Sequence, residues 1–290
     1  VVSLRTTNGG GLVYNSLGSS ARAAAYGLRL GYSTNQGGTL ELLSNSGNIT
    51  LNTGDRRIFL SNNLTNTALG FKASTPITAS TSQVKLVTDD LSATGALNFN
   101  TTGQLIIEPF GSSFTSTVNT TQLIYSAGVT GLTIGKAGNT AGITIGSATT
   151  IAGPIALFGG AVSVNSPLTA TNNTISITSS TSLTDGASGY LIANGLALNG
   201  AGTVTLDHTS NDINTLAAGS SSSPIGALSY TDADDLTIGT VNPTGIHSSG
   251  AIELATLSGD LELTEPIVST LATGDAIQLY ADKDATSGNE

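Results

Sequence analysis

Short segments in which one apolar residue, one small or polar residue and a second apolar residue follow each other recur along the whole chain. Examples are Leu40-Glu41-Leu42, Ile49-Thr50-Leu51, Leu97-Asn98-Phe99, Leu132-Thr133-Ile134, Ile143-Thr144-Ile145, Val162-Ser163-Val164, Ile175-Ser176-Ile177, Val204-Thr205-Leu206, Ile252-Glu253-Leu254 and Leu261-Glu262-Leu263. A period of two is that of a strand with one face buried. Gly, Asn, Asp, Ser or Pro brackets nearly every segment, as turns require. Starting points lie nine residues apart from Leu40 to Ile49 and from Ile49 to Ile58, eleven from Leu132 to Ile143 and thirteen from Val162 to Ile175. That leaves no room for helices. Only residues 21–30 (ARAAAYGLRL) have helical flavour, and Gly27 makes a coil corner an equal alternative. The predicted fold class is all-β.

Longer matches point to a repeat. LELLSNSGNITL at 40–51 and IELATLSGDLEL at 252–263 share one pattern without a gap, at an offset of 212 residues. Leu132-Thr-Ile-Gly135 returns as Leu236-Thr-Ile-Gly239, and Glu108-Pro109 after a strand returns as Glu265-Pro266. An alternating strand hides only one face, so a repeat of this kind gains stability by stacking on its neighbours.

Two architectures compete, a parallel β-solenoid of irregular coils and tandem β-sandwich domains. Sandwich cores usually hold aromatic anchors. Aromatic residues make up 4% of this chain and Trp is absent, so burial relies on Val, Ile, Leu and Ala, which suit a thin layered interior. The solenoid is therefore the expectation, as one continuous segment over residues 1–290. At roughly 20 to 25 residues per coil it would hold roughly 12 to 14 coils. Because open coil ends expose strand edges, continuation into neighbouring repeats at both ends is expected. With no Met in the chain, Val1 is read as the start of a processed or excised segment.

Composition narrows the function. Nine Lys and Arg residues are thinly scattered and the formal net charge is −10, so no basic stripe exists for nucleic acid. Apolar runs of a few residues are too short to span a bilayer, and the lack of Cys removes disulfides and thiolate chemistry. His208 (LDHTSND) and His247 (TGIHSSG) both read as polar corner residues, neither in a nucleophile motif. Asp232, Asp234 and Asp235 (TDADD) read as a solvated acidic corner, with Ca2+ as the competing reading, although no calcium-loop pattern completes a site. The adjacent carboxylates Asp89-Asp90 and Asp234-Asp235 are not spaced as a glycosidase pair. The expectation is no enzyme: no catalytic residue, no cofactor-binding residue and no metal ligand is assigned. Ice binding is set aside because Thr-x-Thr does not recur at a constant interval. The Asn-x-Thr sequons at Asn48, Asn63, Asn100, Asn119 and Asn172 are ordinary for this composition.

The stretches LTIGKAGNTAGITIG (132–146), TTIAGPIALFGG (149–160), TLDHTSNDINTLAA (205–218) and LTIGTVNPTGIHSSGAIELATLSGDLEL (236–263) resemble repeats of giant Bacteroidetes surface proteins. SprB-type gliding-motility adhesins are the members to which they are similar, and the strands also look like filamentous-haemagglutinin-like β-helical repeats. The resemblance covers residues 90–290, while residues 1–90 share only the strand grammar. It implies a large extracellular filament at the bacterial cell surface, exported by type IX secretion. Its implied partners are neighbouring repeats, the outer-membrane secretion and motility machinery, and external surfaces or polysaccharide. The competing reading is a polysaccharide-binding or polysaccharide-degrading β-helix protein.

Overall fold

The computed structural model describes the backbone of residues 2–6, 12–15, 26–30, 39–44, 49–54, 57–60, 68–73, 84, 88 and 96–100 and, side chains included, residues 85–87, 89, 91, 103–109, 111–125, 127–272 and 274–283. No α-helix occurs among the described residues, and every pairing between named strands is parallel. The chain forms two compact units, Val1–Ala141 and Gly142–Glu290. Both coil as a parallel β-solenoid, about nine turns in all. Tandem β-sandwiches, built from antiparallel strands, are thereby excluded.

Fewer turns form than sequence spacing predicts because the early turns are long. In the unit Val1–Ala141, strand Val2–Thr6 pairs with Thr39–Ser44, placing Val2 beside Leu40, 38 residues on. Leu12 pairs with Ile49, 37 residues on, and Ile49 with Val84, 35 residues on. Alternation recurs at each rung, but the connections between rungs absorb many more residues than a minimal corner. Strand Tyr26–Leu30 settles part of the ambiguous 21–30 segment as extended; residues 21–25 lie outside the described residues. Strands Val84–Thr88, Gln104–Glu108 and Gly131–Ile134 stack Leu86, Ile107 and Ile134 in register, each 0% exposed.

The unit Gly142–Glu290 has tighter turns. One row runs through Ile143, Val162, Leu183, Val204, Leu228, Ile252 and Ile277, each in register with the next and 19 to 25 residues apart. A second row carries Ile155, Ile175, Leu196, Leu216 and Ile238. All are buried except Ile277 in the last described turn, which is 41% exposed. Like stacks on like because a parallel strand at fixed register repeats its inward side chains above one another. At about 1.5–3 kcal/mol for each fully buried aliphatic side chain, these rows supply the main favourable term of the fold. The residues repeated at an offset of 212 carry a pair of strands in each unit, Thr39–Ser44 and Ile49–Gly54, and Ile252–Thr256 and Leu261–Leu263; residues 45–48 lie outside the described residues.

Candidate ligand-binding surface

Alternation that sends Leu228 and Tyr230 inward must also send Asp232 inward, two residues further on. Asp232 is 0% exposed, which corrects the reading of TDADD as a wholly solvated corner; only Asp234 and Asp235 are exposed. The Asp232 carboxylate accepts from the buried Tyr230 hydroxyl at 2.5 Å, from Ile213 N in the preceding turn at 3.0 Å and from Asp234 N at 3.2 Å. Burial pushes its carboxyl up to about 7, against the opposing effect of these hydrogen bonds. Burial, reinforced by the neighbouring Asp232, likewise raises the Tyr230 hydroxyl. Among the described residues, no group of three or more His, Cys, Asp or Glu is placed to hold a metal ion.

Asp232 belongs to a series of inward corner residues. Asn211, 0% exposed, accepts from Leu191 N and donates to Leu206 O and to Asp185 Oδ2. Asp185 in turn accepts from Asp207 N and His208 N. Asn139 accepts from Phe114 N and Ser113 Oγ in the unit Val1–Ala141. Each serves backbone groups of an adjacent turn that would otherwise be buried unpaired. These groups hold the coil together and leave no free surface for a ligand.

His208 sits at a corner, as its sequence context implies, accepting from Ser210 N and resting against Tyr190 with ring centroids 5.4 Å apart. His247 does not; it lies in strand Ile246–Ser248, paired with Val268, and its buried Nδ1 has no hydrogen-bond partner. Bends lie on both sides of that strand, in residues 239–245 and at Ser249-Gly250. Asp89 accepts from Gly111 N, and Asp90 lies outside the described residues. Among the sequons, Asn119 caps Thr121 N and Asn172 lies in a bulge described below, whereas Asn48 and Asn63 are outside the described residues.

The outward faces carry a row of polar side chains, of which Ser229 donates to Asp207 and Glu253 pairs with Lys283. Thr144, Ser163, Thr184, Thr205, Ser229, Glu253 and Gln278 align in one row. Five successive rungs therefore present a hydroxyl at the inter-strand spacing of about 4.8 Å. Their sequence intervals are uneven, but corners take up the surplus and the spatial interval stays regular.

A second outward site lies where strand Leu168–Asp185 breaks register with strand Leu191–Asn199. Ala170 pairs with Ala193 and Thr174 with Gly195, so residues 171–173 bulge opposite the single residue Asn194. Asn172 adopts φ 52°, and Asn173 Nδ2 ties the bulge down by donating to Ala152 O and Thr171 O. Next to this wall, Thr169, Ile192 and Asp212 align across three turns. Asn214 donates to Asn194 Oδ1 at 3.1 Å along the same edge. Together they enclose a groove of about 250 Å3. A larger hollow of about 630 Å3, lined by Asp235, Thr237, Asp260 and Glu262, flanks strand Leu261–Leu263; there Asp235 is already engaged by Asp260 N.

Comparison with protein-family models, with curated proteins and with solved structures finds no match to this chain.

Proposed function

We propose that this chain is a structural and adhesive segment of a large exported filament at a bacterial cell surface, and that it makes contact with external surfaces or polysaccharide. The observation that carries the reading is the row Thr144, Ser163, Thr184, Thr205 and Ser229, an uncharged hydrogen-bonding ladder backed by a buried aliphatic stack. Such a face makes many weak, equivalent contacts whose avidity grows with the number of rungs. The aliphatic stack behind it keeps those contacts in a fixed register. The resemblance to gliding-motility adhesin repeats supports the same reading and adds the secretion and motility machinery as partners of the parent molecule. On this reading the chain performs no catalysis.

The test is attachment under flow. Beads coated with the chain should hold to glass and to neutral polysaccharide films better than beads coated with an unrelated β-protein of equal charge. Replacing Thr184 and Thr205 by Glu should weaken the hold without unfolding the coil. Retention equal to that of the control beads refutes the adhesive reading.

A further inference from the structure

We propose that the bulge-walled groove on the outer face of the unit Gly142–Glu290 binds a single sugar ring of a neutral glycan. This rests on the adhesive reading and names the ligand class of one site within it.

The groove combines three properties. First, its polar groups are unspent. The Asp212 carboxylate accepts no hydrogen bond among the described residues, and the internal Asn214–Asn194 bond leaves Asn194 Nδ2 and Asn214 Oδ1 uncommitted. One strong acceptor and an amide donor and acceptor, with the Thr169 hydroxyl beside them, match adjacent sugar hydroxyls, each of which both donates and accepts. Second, Ile192 lies half-buried between Thr169 and Asp212, an apolar floor for the C–H face of a pyranose. Third, the wall is preorganised. The bulge is fixed by the two Asn173 bonds, with Asn172 in the left-handed region, where a non-glycine residue persists only when its surroundings hold it there. Bulges of this kind re-aim side chains beside binding sites, and a fixed wall reduces the ordering cost of weak binding.

Size and charge refine the ligand. At about 250 Å3 the groove falls below the roughly 300–1,000 Å3 of pockets that enclose drug-sized ligands. That is room for one ring with the rest of the glycan running out over the sheet. Asp212, the one carboxylate lining the groove, with Asp234 as a charged neighbour, disfavours uronic-acid or sulfated glycans in a chain of formal net charge −10. It is also too few ligands for Ca2+, which takes 6–8 oxygens.

The experiment is side-chain amide NMR of the intact 290-residue chain, titrated with glucose, mannose and xylose oligomers, with polygalacturonate and with Ca2+ alone. Saturable shifts of the Asn194 and Asn214 amides with at least one neutral oligomer are expected, with polygalacturonate at least about tenfold weaker. Losing two hydrogen-bonding partners in the double variant N194A/N214A should weaken binding about tenfold or more. Both substituted side chains are exposed, so its thermal unfolding should match that of the unaltered chain. Asp212→Asn, which keeps the shape, should lessen the preference over polygalacturonate. The proposal is overturned if no neutral oligomer shifts these amides, if Ca2+ alone produces the shifts, or if the double variant binds as well as the unaltered chain. Beads bearing the double variant that attach normally, with the amides silent to sugar, refute the groove and leave the adhesive reading intact. Unaltered beads that fail to attach while the amides respond refute the adhesive reading and leave the groove.

Discussion

Raising the pH from 4 to 8 should loosen the turn around Asp232, and Asp232→Asn should abolish most of that effect. The carboxyl ordinarily titrates near 3.8 and is raised to about 7 in the folded chain, chiefly by burial. A raised folded value means that the folded state holds its proton more tightly than the unfolded state does. The associated stability is therefore complete below about pH 4 and is lost as pH climbs through 7. Three units at 1.36 kcal/mol each give about 4 kcal/mol as the upper bound, reached only if opening exposes the carboxyl fully. Native-state hydrogen exchange at Tyr230, Leu254 and Ile213 is the assay, because local opening in a solenoid is read residue by residue. After correction for intrinsic exchange, protection in the unaltered chain should fall by up to roughly a thousandfold between pH 4 and 8. In the Asp232→Asn variant it should be nearly flat, with a small remaining slope from the exposed Asp234, which burial and the neighbouring Asp212 and Asp235 also raise. Equal protection at the two pH values in the unaltered chain, or an equal slope in the variant, refutes the reasoning.

Three further perturbations test the packing. Val204→Asp buries an unpaired charge between Leu183 and Leu228 and should cost about 3–5 kcal/mol, seen as faster amide exchange on those two rungs and little change at Ile143. Gly189→Ala places a Cβ 1.8 Å from Val164 O, so backbone must move and chemical denaturation should show a loss of about 1–3 kcal/mol; Gly274→Ala, with no atom within 4 Å and φ 84°, should show only the conformational cost of about 1 kcal/mol. Asn211→Ala strands the buried Leu191 N and Leu206 O and should cost about 2–4 kcal/mol by the same measurement; Asn211→Asp should be no milder, because it turns an acceptor toward Leu206 O and the Asp185 carboxylate.

Much of the coil was legible from residues alone. Ile175 and Val204, apolar positions of two alternating segments, are 0% and 3% exposed. The 40–51 and 252–263 segments each carry two strands in matching places. The signal for Asp232 was present as well, since period two carries the inward face from Leu228 through Tyr230 to Asp232; it was overridden by the usual preference of adjacent carboxylates for water. His247 was misplaced for a different reason. Its neighbours read as turn residues, and bends do flank it, at Ser249-Gly250 and in the preceding loop whose Val241 packs over Gly195, where a Cβ would meet Val241 at 2.9 Å; the three residues between them pair as a strand.

Alternation of apolar and polar residues, turn residues at each boundary and the scarcity of aromatics determined by themselves that this chain stacks strands around an aliphatic interior, because those are local properties of period, φ preference and side-chain volume. Only the tertiary structure decided which residues become neighbours across turns. Thr169, Ile192 and Asp212 are far apart in sequence and meet solely through strand register. Corner lengths vary from turn to turn while the hydrogen-bonded spacing between strands does not. Uneven intervals in sequence therefore become an even ladder and a walled groove in space.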